Sequence, residues 1–327
     1  ISILIFNYIY MKQKNCLIWG ASGQIGKSLI NKLTKDNFKV TAVTRNSHKN
    51  GYILKTQANP GFIEIVETSI FDINKIDELT KKAQVVINLI GTLYQKNKYN
   101  SFENIHVKFP FILSEYCKKN NVEQLIHLSA LGVEKALNSE YARSKLQGEK
   151  VLKKNFEKTT ILRPSVVFSV DDNFTTQFMT MLNLLPFFPL YYKGQTKFQP
   201  LYCSDLAKII VEIINKKISS EIIECAGPEV FTFEVLIKNL LKLINKKRLL
   251  VPLPNFIGKY SSIFLGMFPK PIITFDQFKL LKYDNILSND FKNQKNFNLE
   301  CKSNFSDEVE KYAYMWRDGG EFSKKLK

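Results

Sequence analysis

Tyr141 and Lys145 stand four residues apart in Tyr141-Ala142-Arg143-Ser144-Lys145. On a helix that spacing puts both side chains on one face. A lysine so placed can lower the phenol's pKa and hold the nicotinamide ribose of a bound cofactor. The tyrosine can then pass a proton to or from a substrate oxygen as hydride moves. Ser129 closes the apolar run Gln124-Leu125-Ile126-His127-Leu128-Ser129, which reads as a strand, and can steady that oxygen.

A second group of residues suits phosphate. Gly20, Gly23 and Gly26 lie in Gly20-Ala21-Ser22-Gly23-Gln24-Ile25-Gly26, between the apolar run Cys16–Trp19 and a stretch of helical periodicity from Lys27 to Leu33. Glycines permit a tight turn and close backbone approach to a pyrophosphate, and the helix that follows aims its free N–H groups at the phosphates. This G-x-x-G-x-x-G spacing in a strand–turn–helix setting predicts a dinucleotide cradle made by Gly20, Ser22, Gly23, Gln24, Ile25 and Gly26. The next strand, Lys39–Thr44, ends in Arg45-Asn46-Ser47, where dinucleotide sites usually place a carboxylate for the ribose 2′-hydroxyl. A guanidinium there suits a 2′-phosphate, so Arg45, with Asn46 and Ser47, favours NADP(H) over NAD(H). Asp72, after the third strand, has two readings: an acceptor for the adenine amino group, or a cap for the helix from Ile73.

These residues need a sheet to hold them. Apolar runs at Lys39–Thr44, Phe62–Val66, Gln84–Gly91, Gln124–Ser129 and Thr160–Leu162 alternate with helical patterns at Phe102–Lys119 and Tyr141–Lys153. Runs without polar alternation fit strands buried on both faces. The expected fold is α/β: a doubly wound parallel Rossmann sheet with a smaller, apolar, mostly helical C-terminal subdomain. The expected division is an N-terminal extension at 1–12, a nucleotide-binding domain at 13–168 to which 199–228 returns, and a substrate or partner subdomain at 169–198 and 229–327. Beyond Pro164, helices are expected at Phe174–Leu185, Asp205–Asn215 (capped by Ser204), Phe233–Ile244 and Val309–Trp316, and a strand at Ile222–Ala226; Pro186–Tyr191 is proline-punctuated. The stretches Phe174–Tyr192 and Phe256–Phe275 are rich in Phe, Leu, Met and Pro. They read as a lid core, or as a surface meeting a membrane, a lipid-like substrate or a larger assembly.

Composition narrows the classes. The chain has 327 residues, 45% hydrophobic and 24% charged, ordinary for a globular protein with ample core. Its net charge of +17 comes mainly from dispersed lysine, with neither an arginine cluster nor a basic stripe interleaved with aromatics. Nucleic acid is therefore not expected as a partner, and an anionic membrane surface fits better. The five cysteines are widely spaced in apolar runs and read as reduced core thiols; three scattered histidines do not make a metal site, and none is expected. The first ten residues are apolar but too short to span a bilayer, and a membrane-surface contact is the reading for them.

Taken in order, Gly20–Gly26, Asp72, Asn88-Leu89-Ile90-Gly91, Ser129, Tyr141/Lys145 and Leu162-Arg163-Pro164-Ser165 resemble the extended and atypical short-chain dehydrogenase/reductases, over about Asn15–Glu234. Within that superfamily Phe102–Lys108, Val122–Ser129, Tyr141–Lys145 with Gly148-Glu149, and Gln199–Asp205 resemble the nucleotide-binding accessory subunit of respiratory complex I and its bacterial relatives. The resemblance implies that Leu89, Ile90, Gly91 and Pro164 also line the cofactor. It implies a bound NADPH of chiefly structural role, in contact with complex I subunits and peripheral to an inner membrane on its cytoplasmic or matrix side. It also leaves open an NAD(P)-dependent epimerase or reductase acting on a quinone-related or sugar-like substrate. The chain departs from the catalytic pattern in a short Ser129–Tyr141 segment, in His106 where asparagine is usual, and in Phe168-Ser169 where Tyr-Gly is usual.

Overall fold

The computed structural model describes residues 13–269 and 271–322. The readings made for residues 1–12 lie outside them. Strands β1 (Asn15–Trp19), β2 (Lys39–Thr44), β3 (Ile63–Glu67), β4 (Val85–Asn88), β5 (Gln124–Leu128), β6 (Thr159–Pro164) and β7 (Ile222–Cys225) form one parallel sheet in the order β7-β6-β5-β4-β1-β2-β3. The order reverses beside β1, so the carboxyl ends of β1 and β4 diverge into a crevice, the usual ligand position of such sheets.

The strands form because both faces are covered. Along β1, Cys16 and Ile18 pack into one core with Leu29, Ile30 and Leu33 of α1 (Gln24–Lys35). Leu17 and Trp19 point the other way, against Ile76 and Leu79 of α3 (Ile73–Lys81) and Phe109 and Leu113 of α4 (Phe109–Lys119). Helix α2 (Ser47–Thr56) lies on the first face through Leu54, and α5 (Glu140–Asn155) on the second through Leu152. A π-helical turn, Glu103–Lys108, leads into α4, a feature often found near functional sites.

Helices α6 (Thr175–Leu184), α7 (Cys203–Asn215), α8 (Phe233–Leu243), α9 (Asn255–Gly266), α10 (Phe275–Leu280) and α11 (Phe305–Ala313) follow. Helix α7 packs back on α1 in the sheet core, whereas α6, α8 and α11 share a separate aromatic core around Phe168, Phe188, Phe233, Phe305 and Trp316. One local expectation needs correction. Helix α7 starts at Cys203 with no side-chain cap, so Ser204 lies inside it; the chain enters from the short strand Leu201–Tyr202, and Asp205 of the first turn accepts from Ser303 N–H at 3.1 Å. The proline-punctuated stretch Pro186–Tyr191 contains a strand, Phe187–Leu190, paired in parallel with Leu249–Pro252; Pro189 is tolerated because this is a two-stranded ladder.

Candidate functional site

The glycine loop has the geometry its spacing predicts. Gly20 has φ +85°, and a Cβ there would lie 3.2 Å from the Leu89 carbonyl carbon, so this turn needs glycine. A Cβ on Gly26 would lie 2.4 Å from Ala21 O, because α1 is seated directly on the turn. Gly23 caps α1 with extended backbone, no side chain fills the cap, and the first turn carries no acid. The helix end is thus left open to an anion. Ser22 is half-buried beside it, and Ile25 packs partly into the sheet core. The Gln24 side chain accepts from Ser169 Oγ at 2.6 Å, which leaves its backbone to serve the loop. Lys27 of α1 pairs with Asp171, so the chain just beyond β6 is tied across the start of α1.

At the end of β2, Arg45 is exposed and makes no hydrogen bond or ion pair among the described residues. Asn46 caps α2, its Oδ1 accepting from Lys49 N–H at 2.8 Å. Asp72 caps α3 through Oδ1, which accepts from Lys75 N–H at 3.0 Å. Of its two readings the cap is the one formed; Oδ2 meets only the Thr68 hydroxyl, at 3.4 Å. A residue the sequence reading passed over stands here too: Glu67, at the end of β3, accepts from both Ser47 N–H (2.7 Å) and Ser47 Oγ (2.5 Å). Those two hydrogen bonds hold its carboxyl below the usual range.

Beyond β4, Leu89 donates its N–H to Trp19 O at 2.9 Å, and Ile90 to the Asn88 side chain at 3.1 Å. Gly91 faces the second group: a Cβ there would lie 3.2 Å from Lys145 Nζ. Tyr141 and Lys145 occupy the first turns of α5 below the end of β5, where Ser129 donates its N–H to Leu162 O. Pro164, buried at the end of β6, accepts from Leu131 N–H at 3.0 Å.

Lys145 Nζ donates to Leu128 O at 2.9 Å, and burial pushes the Tyr141 phenol up to about 12. The lysine is itself brought down to about 8 by burial, Glu149 opposing. His106 fills the gap between the parts. Its Nε2 accepts from Thr92 N–H at 3.2 Å, so Nδ1 carries the proton and donates to Ser144 Oγ at 2.8 Å, and Ser144 donates to Tyr141 O. Burial, then Lys145 and His127, lower its pKa to about 2, and the imidazole is neutral. Its ring meets Tyr141 edge-on and stacks with Phe102.

Two buried polar atoms here, Ser129 Oγ and His127 Nε2, have no hydrogen-bond partner among the described residues. Buried polar atoms are normally paired, so Ser129 Oγ marks a place for a ligand's polar group at the end of β5. Open phosphate cradle, a glycine at Gly91 where a side chain would meet Lys145, and this orphaned hydroxyl together fit a dinucleotide laid across the crevice. Among the described residues no group of His, Cys, Asp and Glu is arranged to hold a metal ion.

Residues 16–226 match the model of the NAD dependent epimerase/dehydratase family. The chain belongs to that family. It is 25% identical to the mitochondrial 40 kDa subunit of NADH-ubiquinone oxidoreductase of Neurospora crassa, across 86% of this chain and 74% of that subunit. It is 30% identical to the mitochondrial NADH dehydrogenase [ubiquinone] 1 alpha subcomplex subunit 9 of Dictyostelium discoideum, across 75% of this chain and 68% of that one. Among solved structures, dTDP-glucose 4,6-dehydratase of Bacillus anthracis in complex with NAD matches with a TM-score of 0.71 at 16% identity, over 96% of this chain and 100% of that one. The dTDP-4-dehydrorhamnose reductase of the same organism, in complex with NADP, matches with a TM-score of 0.66 at 14% identity, over 92% and 98%. These likenesses confirm the doubly wound fold.

The remaining missed residues are supports of α5. Asp276 of α10 accepts from Ser139 Oγ (2.7 Å), Glu140 N–H (2.8 Å) and Tyr141 N–H (2.9 Å), a cap supplied from far along the chain. Glu149 and Arg163, both buried, form a bidentate pair at 2.9 and 2.7 Å, and Glu134 adds a third contact at 3.0 Å. Glu149 and Arg163 were visible as motif members without their purpose; Asp276 carries no signal in sequence, since nothing local marks a cap 135 residues away.

Proposed function

We propose that this chain holds a nicotinamide dinucleotide, NADP(H) before NAD(H), as a structural part of a complex I-type membrane assembly. The pyrophosphate would lie on the open end of α1 at Gly20–Gly26, the 2′-phosphate toward Arg45, and the nicotinamide half toward Gly91, Ser129 and Lys145. When bound, the group can supply hydride chemistry. The observation that carries retention over turnover is the contact of Lys145 Nζ with Leu128 O, which engages the ammonium with the protein. A lysine so engaged is a weaker aid to proton relay by Tyr141, while it still suits a ribose hydroxyl. The partnership rests on the two respiratory-chain relatives.

The partner-facing part would lie in 169–198 and 229–327. Helix α9 turns its small residues Gly258 and Ser262 inward and exposes Phe256, Tyr260, Phe264 and, just beyond it, Met267. From Val235 to Phe275 the chain has basic residues and no acid. That combination supports docking at a membrane-bound assembly; no helix among the described residues is long and apolar enough to cross a membrane.

Native mass spectrometry of gently purified protein tests the reading: NADPH is expected to co-purify and to survive incubation with quinone and nucleotide-sugar acceptors. Absence of any nucleotide, with none binding at millimolar concentration, overturns it. The alternative, a working epimerase or reductase, keeps Tyr141, Lys145 and Ser129 as its acid–base group. It predicts oxidation of the bound cofactor that Tyr141→Phe abolishes while binding persists.

A further inference from the structure

We infer that Glu67 sets which nicotinamide dinucleotide this chain prefers, because its carboxylate competes with a 2′-phosphate for the two donors of Ser47. The inference rests on the reading that the dinucleotide lies on the glycine loop. Strands β2 and β3 run side by side in parallel with Thr44 opposite Glu67, so the carboxylate stands at the edge where β2 gives way to Arg45, Asn46 and Ser47. A dinucleotide whose pyrophosphate lies on the β1 turn carries its adenosine half over this edge. The Glu67 Oε2 atom accepts from both Ser47 N–H and Ser47 Oγ; its other oxygen has no partner among the described residues.

The loop therefore presents one positive and one negative group to the ribose. Arg45 attracts a 2′-phosphate. Glu67 occupies the Ser47 donors with a charge of the same sign as that phosphate, which is close to a dianion at neutral pH. An unphosphorylated ribose meets the opposite balance: a carboxylate oxygen with spare acceptor capacity suits a 2′-hydroxyl, the contact that acidic residues make at this position. A side chain from β3 thus supplies the carboxylate that the β2 end lacks. Without a charge at residue 67, Ser47 N–H and Oγ become a seat for the phosphate at the start of α2.

The test is titration calorimetry of the full chain with NADPH and with NADH, for the wild type, Glu67→Gln and Ser47→Ala, with melting temperatures recorded alongside. Glu67→Gln is expected to tighten NADPH about tenfold, the scale of removing one close like charge at an exposed site, and to leave NADH unchanged or a few-fold weaker. Ser47→Ala is expected to weaken NADPH and leave NADH within about twofold, and it carries the test if Glu67→Gln does not fold. An unchanged NADPH-to-NADH ratio in Glu67→Gln, or a shift toward NADH, overturns the inference. So does a Ser47→Ala protein that binds NADPH as the wild type does. Failure of the wild type to bind either nucleotide instead brings down the underlying reading.

Discussion

Gly148→Ala puts the anchoring of α5 to a direct test. A Cβ on Gly148 would lie 1.9 Å from His106 O and 3.1 Å from His106 C, with backbone on both sides of the contact. A carbon normally stops about 3.3 Å from a carbonyl oxygen. Either α5 or the Glu103–Lys108 turn must therefore retreat by about 1.4 Å, a distance that follows from that 3.3 Å contact. Overpacking of this kind costs about 1–3 kcal/mol, and the upper end applies because no side chain can rotate away. Alanine returns up to about 1 kcal/mol of helix propensity. The net loss is about 1–2 kcal/mol. With unfolding entropy near 2.1 cal/mol/K per residue, a chain of 327 residues melts about 2–3 °C lower. Lys145 lies one turn from Gly148 and moves with it, so its contact with a bound ribose lengthens; losing one charged hydrogen bond weakens nucleotide binding about tenfold. Scanning fluorimetry with and without NADPH, and calorimetric titration, read the two effects. A variant that melts at or above the wild type and binds NADPH equally well would refute the claim that this close approach positions α5.

Asp276→Ala removes three hydrogen bonds from the start of α5. A charged cap of this kind is worth about 2 kcal/mol, a drop of about 3 °C at the entropy above; melting unchanged within 1 °C would show that Ser139, which already caps Ala142, suffices alone. Gly23→Ala and Gly26→Ala separate binding from folding. At Gly23 the nearest atom to a Cβ is Gly20 O at 3.4 Å, so the variant folds but loses NADPH more than tenfold as the methyl group blocks the phosphates; at Gly26 the 2.4 Å approach to Ala21 O lowers the melting temperature first. Equal melting of the two would contradict the assigned geometry. His106 and His127 are both held well below the ordinary histidine value by burial. Each stays neutral when folded and takes a proton when unfolded below about pH 6.5, so their linkage favours unfolding as pH falls. From pH 6.5 to 5 the slope for each histidine is expected to steepen from about 0.7 to about 1.4 kcal/mol per pH unit, and denaturant titration of a His106→Asn variant should show a shallower slope. An identical slope would mean that His106 is charged when folded.

Much of this was legible because the constraint was local. The strands of the main sheet are covered on both sides, so β1 and β4 appear as unbroken apolar runs. The turn between β1 and α1 needs glycine at Gly20 for its φ and at Gly26 for its packing, and sequence records both. What stayed hidden depends on a partner brought in by the fold. Pairing Tyr141 with Lys145 by spacing was sound, but the ammonium had a competing acceptor in Leu128 O, which no spacing rule contains. Glu67 of the neighbouring strand stands against Ser47 at the end of β2, a placement visible only in the register of β2 with β3. The strand Phe187–Leu190 was not legible in a proline-punctuated stretch; it finds its partner some sixty residues later at Leu249–Pro252.

The supports of α5 bear on how the site works. Asp276 fixes its first turn, Lys145 ties the second to β5, Gly148 lets it close on His106, and Glu149 pairs with the buried Arg163 of β6. Removing one member of such a buried pair costs about 3–5 kcal/mol, since the other charge is stranded. A helix held at four points along its length has little freedom to bring the Tyr141 hydroxyl toward the Lys145 ammonium and away again. Proton relay in a working site uses small adjustments of that kind, with catalytic hydrogen bonds tightening as substrate binds. Retention needs the reverse: fixed donors, a neutral histidine, and a lysine whose hydrogen bond to the protein already sets its direction. One of those supports comes from α10, whose Phe278 packs under Gly258 of α9. The nucleotide site and the exposed apolar face of α9 are therefore joined by continuous contact through Asp276. On the proposed reading, a bound dinucleotide that steadies Tyr141 and Lys145 would steady that face by the same route, and the nucleotide would serve assembly without being spent.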